Sequence, residues 1–216
     1  MSLLVQQDTT AHALLIGGVV VAAGSEVVAT YLGQARDGQR RLSGSVSEAL
    51  LLRKRSGGSA ADRWTKQVLV GTILAGLLVA SLLASREPGV RAYANNWTTL
   101  VLGLALVAAG VAIRSWAVWT LGRFFRREVT IDAGQHVVSS GPYRFVRHPA
   151  YAGNILMYAG FGLAIGSWLS AALLLAFAVA AHIPRIRVEE AELERELGDD
   201  YRDYERETAR LLPGIW

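Results

Sequence analysis

Four stretches of this chain are long, apolar and almost free of charge, and polar, mostly basic segments separate them. The first runs roughly from His12 to Leu32, the second from Gln67 to Ser85, the third from near Trp97 to about Trp119, and the fourth from Pro149 to Ala181. About 20 apolar residues in a helix cross the hydrocarbon core of a bilayer, so each of the first three predicts one span. The fourth is too long for one. Its 32 residues from Ala150 would make a rod of about 48 Å, against a core of about 30 Å. Gly166-Ser167 stands near its middle and can break it into two short antiparallel helices. The pattern predicts an all-α integral membrane protein of about five transmembrane helices, the last two a tight helical hairpin.

The polar segments set the expected topology. Residues 33–66 carry Arg36, Arg40, Arg41, Arg53, Lys54, Arg55, Arg63 and Lys66 against Asp37, Glu48 and Asp62. A short helix is expected at Ser45–Leu52, before Ser56-Gly57-Gly58-Ser59 breaks it. Residues 86–96 are nearly neutral, whereas 120–149 are again basic. Basic loops stay in the cytoplasm, which places the N-terminus outside and the C-terminus inside, in a bacterial plasma membrane. Residues 1–119 read as three N-terminal spans with the cytoplasmic linker 33–66. Residues 120–216 read as a functional core: the hairpin, a C-terminal cytoplasmic helix, and any site at the cytoplasmic face. Met1–Thr10 lacks the basic start of a cleaved signal peptide, so the first helix is expected to be retained.

Composition changes this picture little. The chain is 52% hydrophobic and its net charge is +4. The surplus of basic residues lies in loops between spans, where topology explains it better than nucleic-acid binding. The last 29 residues reverse the sign, with ten acidic and four basic side chains. The chain contains no cysteine, and its four histidines show no ligand spacing, so no metal site is expected. Two charges fall inside spans. Glu26 reads as a carboxylate reaching the headgroups. Arg114 lies about 26 Å along its helix and is expected to snorkel to the far interface, beside Trp116 and Trp119 in an aromatic belt.

Two polar clusters bracket the last apolar run. Gly141-Pro142-Tyr143-Arg144 and Arg147-His148-Pro149-Ala150-Tyr151 precede it, and His182, Arg185, Glu189 and Glu190 follow. Gly-Pro-Tyr reads as a turn, and Pro149 suits the first turn of a helix. Unpaired amides at that helix start can hold a carboxylate. His182, Arg185 and Glu189 are spaced i, i+3, i+7 and share one helical face, with Arg185 placed to pair with Glu189. Pro184 is expected to kink that helix. Ionisable groups held this close to lipid are functional candidates.

The arrangement resembles the isoprenylcysteine carboxyl methyltransferase family of integral membrane enzymes. Gly141-Pro142-Tyr143, Arg147-His148-Pro149, Tyr151, Gly153, Arg185, Glu189 and Glu190 carry the resemblance. Gly198, Tyr201, Tyr204 and the closing Leu212-Pro213-Gly214-Ile215-Trp216 add to it, so it covers roughly residues 120–216. It implies S-adenosyl-L-methionine as cofactor, held by Gln135, His136, Val137, Val138, Tyr143, His148, Pro149, Ala150, Tyr151 and Glu189. It also implies Arg185 and Glu189 as catalytic residues, Arg185 orienting an acceptor carboxylate. Gln135-His136-Val137-Val138 keeps only part of the family's local pattern. No G-x-G-x-x-G follows a strand, so a soluble nucleotide-binding fold is not expected.

The expected reaction is methyl transfer to a lipophilic acceptor that enters from the bilayer, with carboxyl methylation of a prenylated cysteine in front. Membrane lipids are expected as further partners. Three alternatives stay open: methylation of a phospholipid or other lipid amine, for which His182 is the nearby proton acceptor; a nicotinamide-dependent membrane reductase; and a non-enzymatic lipid-binding subunit.

Overall fold

The computed structural model describes residues 60–86, 97–125, 136–164 and 168–214. The expected span at His12–Leu32 with Glu26, the short helix at Ser45–Leu52, Gln135 and the Gly166-Ser167 turn lie outside the described residues. Regular structure in the described residues is helical: α1 (Ala60–Arg86), α2 (Trp97–Leu121), α3 (Pro149–Ala164), α4 (Trp168–Leu197) and α5 (Asp199–Glu207), with 3-10 turns at Gly122–Phe124 and Gly141–Arg144. An isolated parallel bridge joins Val146 to Ala209.

Helix α1 starts earlier than expected and takes in Arg63 and Lys66. Between Ser59 and Pro88 neither proline nor a glycine pair stops a helix, so it propagates back into the basic linker. Helix α4 also runs further than its apolar part. It continues through Pro184 and ends in an acidic segment at Leu197. Among the described residues Thr98–Leu121 and Trp168–Leu197 are long and apolar enough to cross a membrane. Helix α3, at 16 residues, is about 24 Å long.

Helix α3 packs against α2 on one side and α4 on the other, and α1 lies against α4. Val107 of α2, Met157 and Phe161 of α3 and Leu174 of α4 form one buried cluster, with Leu77 of α1 packed on it. The α2–α3 contact is built on glycine. A Cβ at Gly110 would lie 2.5 Å from the Gly153 carbonyl oxygen, and one at Gly103 2.7 Å from that of Gly160. In lipid, such small-residue faces let helices gain dispersion contact that larger side chains would block. The pairing of 103 with 160 and 110 with 153 makes α2 and α3 antiparallel.

Arg114 does not snorkel away from the protein. Its side chain is 4% exposed, its Nη1 reaches the Ala150 carbonyl at 3.5 Å, and its guanidinium lies 5.9 Å from the centre of the Phe125 ring. The close approach at Gly153 explains this. A Cβ there would lie 3.0 Å from that of Arg114, so the arginine stem lies against α3 and its head reaches the Ala150 carbonyl in the first turn of that helix.

Candidate functional site

The site is assembled at the start of α3. Gly141 takes φ +58°, a conformation glycine adopts without strain, and a Cβ there would meet the Thr120 hydroxyl at 2.8 Å. Gly-Pro-Tyr forms the turn expected of it, and that turn is tucked against the end of α2. Tyr143 packs with Ala117 and Ala150, and Val138 lies against them. Burial, and after it the Glu189 carboxylate, hold the Tyr143 phenol well above its ordinary range, so it stays neutral.

The C-terminal segment closes over this turn. The amides of Arg147 and His148 donate to the carbonyls of Ala209 (2.8 Å) and Arg210 (3.0 Å). The Tyr204 hydroxyl donates to the Tyr143 carbonyl at 2.6 Å, and burial pushes its pKa up to about 12, which keeps the proton in that bond. Arg147 Nη1 donates to the carbonyls of Glu205 (2.9 Å) and Thr208.

The adjacent carboxylates of α4 face different partners. Glu189 accepts from the Tyr151 hydroxyl at 2.6 Å, and the Tyr151 hydroxyl oxygen in turn accepts from Arg185 Nε at 3.0 Å. The Tyr151 ring stacks on His148 with centroids 5.5 Å apart and lies 5.1 Å from the His182 ring. His182, Arg185 and Glu189 thus converge on one tyrosine from α3, as their shared helical face predicts, and the Tyr151 hydroxyl bridges the expected Arg185–Glu189 pair. His182 is fully buried. Its Nδ1 donates to the Ala178 carbonyl at 2.7 Å, which leaves Nε2 facing Asn154 Nδ2 at 3.5 Å.

Glu190, 3% exposed, faces the tail. Its Oε1 accepts from Arg147 Nε at 2.9 Å and lies 3.1 Å from His148 Nε2. Its Oε2 accepts from Arg210 Nε at 2.7 Å. The carboxylate can only accept, so His148 carries its proton on Nε2.

The amides at the helix start are engaged in part. The His148 amide is bonded to Arg210, Pro149 has none, and the amides of Tyr151 and Ala152 both donate to the His148 carbonyl. The C-terminal segment takes one of these donors, and the first turn of α3 takes two. Of the other candidates, Pro149 and Ala150 are buried and Val137 is half-buried. His136 is exposed, with its ring edge-on to Phe124 at 5.3 Å. Sequence reasoning left Arg147, Asn154, Glu190 and Arg210 without site roles. Glu190 and Arg147 stood inside the recognised motifs, but nothing in local spacing points to Arg210.

Residues 98–200 match the phospholipid methyltransferase family model. Protein-S-isoprenylcysteine O-methyltransferase A of Arabidopsis thaliana is 31% identical over 133 residues, which cover 59% of this chain and 64% of the relative. The Schizosaccharomyces pombe protein-S-isoprenylcysteine O-methyltransferase is 30% identical over 109 residues, covering 44% and 46%. YpbQ of Bacillus subtilis, whose function is uncharacterised, is 29% identical over 119 residues, covering 55% and 66%. The chain therefore spans less than two thirds of the length of these relatives. The structure of the eukaryotic intramembrane Ras methyltransferase ICMT superposes with a TM-score of 0.52 at 23% identity, covering 69% of this chain and 52% of that one. That likeness is one of fold, and it is to a membrane protein.

Proposed function

We propose that this chain is a member of the isoprenylcysteine carboxyl methyltransferase family and transfers methyl from S-adenosyl-L-methionine to the carboxylate of a lipophilic, prenylcysteine-like acceptor. The observation that carries this reading is the convergence of Arg185, Tyr151 and Glu189 through one hydroxyl, at 3.0 and 2.6 Å. The surrounding residues fit the donor's chemistry: a carboxylate at Glu189 for hydroxyl or ammonium groups, and apolar Val138 and Tyr143 for a flat base. Of the family's donor contacts, His148 and Tyr151 stand stacked beside them. When bound, the donor supplies a methyl group on a positively charged sulfur.

The protein's part is to position and to exclude water. An acceptor carboxylate is already ionised at pH 7, so its oxygen can take the methyl without a general base. Arg185, 5% exposed, supplies the planar two-pronged donor that orients such a carboxylate. Tyr151 holds the guanidinium at Nε, and Glu189 anchors Tyr151. The acceptor enters laterally from the bilayer, and residues 120–216 carry this machinery beside three N-terminal spans.

Titration of the purified chain in detergent with S-adenosylhomocysteine and with NADPH tests the reading. Heat should be released with the first and not the second, and labelled methyl should pass to a prenylated cysteine with a free carboxylate but not to its amide. Binding of NADPH would favour the reductase, and binding of neither the non-enzymatic subunit. The proposed topology has its own test. Reporter fusions at Arg53 and Trp216 should report the cytoplasm and one at Pro88 the outside. A shared compartment for Pro88 and Trp216 would overturn the five-span arrangement.

The phospholipid methyltransferase match favours a second reading, in which the acceptor is a lipid amine. His182, with its proton on Nδ1 held by Ala178, then offers Nε2 as the proton acceptor. Labelled transfer to phosphatidylethanolamine in place of the prenylated carboxylate would select it.

A further inference from the structure

The C-terminal segment after α5 reaches the start of α3, and its side chains meet there around one carboxylate. Glu190 lies between Arg147 and His148 of the α3 start and Arg210 of the tail. Two backbone bonds run beside this cluster, from Arg147 to Ala209 and from His148 to Arg210. The Tyr204 hydroxyl adds a third tie to the Tyr143 carbonyl. Of the residues held here, His148 touches Tyr151, and Arg147 and Glu190 are chain neighbours of His148 and Glu189.

His148 is the residue through which this matters. Its backbone amide is held by the tail, its Nε2 by Glu190, and its ring lies 15° from parallel against Tyr151. The Nε2–H bond orients the imidazole and turns Nδ1 away from Glu190. A histidine's ring orientation and tautomer are set by the partner of its other nitrogen. Arg210 is the partner that the tail contributes to that carboxylate, on the oxygen that His148 does not use. Its side chain is 35% exposed where that of Glu190 is 4%, so it can be changed without opening the core.

We propose that Arg210 and Glu190 act as positioning residues: the C-terminal segment is a strap that fixes the His148 ring against Tyr151 and so completes the methyl-donor site. This rests on the methyl-donor reading above. Loss of the strap should weaken donor binding and leave the acceptor clamp at Arg185 in place.

The experiment compares wild type, Arg210→Ala and Arg210→Lys as full-length chains in detergent. S-adenosylhomocysteine affinity is measured by titration, and KM for donor and for acceptor by labelled methyl transfer. Arg210→Ala should bind S-adenosylhomocysteine about tenfold more weakly, the equivalent of losing one charge-assisted hydrogen bond. Its donor KM should rise in step, with acceptor KM unchanged. Arg210→Lys keeps a cation within reach of Oε2 and should recover most of the affinity. A role confined to folding would lower the active fraction and kcat but leave both KM values and the affinity of the folded protein at wild-type levels, and that result would overturn the strap. Should Arg210→Ala fail to fold, Arg210→Gln, which retains a neutral donor, carries the same comparison. Wild type binding no S-adenosylhomocysteine would refute the donor reading itself. Wild type binding it, with Arg210→Ala binding equally, would refute the strap alone.

Discussion

Arg185→Lys is expected to lower methyl transfer about 100-fold or more, in line with the cost of misplacing a reacting group by an ångström. The charge is kept but the planar fork is lost. Lysine also gives up the Nε–H that Arg185 donates to the Tyr151 hydroxyl at 3.0 Å, so the ammonium is held neither by Tyr151 nor in the plane of the carboxylate. S-adenosylhomocysteine affinity should change little, because Glu189, Tyr151 and His148 retain their mutual contacts. Both quantities are to be read on the same purified variant. If Arg185 served only as a helical partner of Glu189, lysine would do nearly as well, since such pairs contribute about 0.2–0.5 kcal/mol. Near-normal transfer by Arg185→Lys would therefore remove the clamp and bring the amine reading forward.

Adjacent carboxylates should fail in different ways. Glu190→Ala leaves the half-buried Arg147 and the buried His148 without their shared carboxylate, and breaking a buried ion pair from one side costs about 3–5 kcal/mol. The variant should melt well below wild type in detergent, or fail to accumulate. Glu189→Gln removes a charge that accepts a hydrogen bond from the Tyr151 hydroxyl. It should melt close to wild type and bind S-adenosylhomocysteine more weakly by about 1.5–3 kcal/mol. A wild-type melting temperature in Glu190→Ala, or unchanged affinity in Glu189→Gln, would break this division of labour. The contrast is useful because the two residues are neighbours in the chain, so differences in expression or in helix propensity are shared.

That division depends on geometry that neighbouring positions hide. Successive residues on a helix point about 100° apart, so Glu189 and Glu190 must serve different faces. Which face meets Tyr151 and which meets the tail follows only from where α3 and residues 208–211 lie. Arg114 is a similar case. Its distance along α2 allows it to reach an interface, and its inward course reflects the glycine contact with α3.

By itself the sequence determined what is local. Uncharged runs of membrane length marked the helices now described as α1 to α4, and Gly141-Pro142-Tyr143 marked the turn. The 3.6-residue period put His182, Arg185 and Glu189 on one face, where all three meet Tyr151. These follow from interactions within one or two turns of chain. The tertiary structure alone decided the partners: Tyr151 with Arg185 across 34 positions, Arg147 with Glu190 across 43, and Tyr204 with Tyr143 across 61. It also engaged part of the helix start that spacing left open, because the amide of His148 bonds to Arg210. Periodicity reports the direction a side chain takes from its own helix. What stands in that direction is set by how separate helices and a returning tail pack, and no local pattern encodes it.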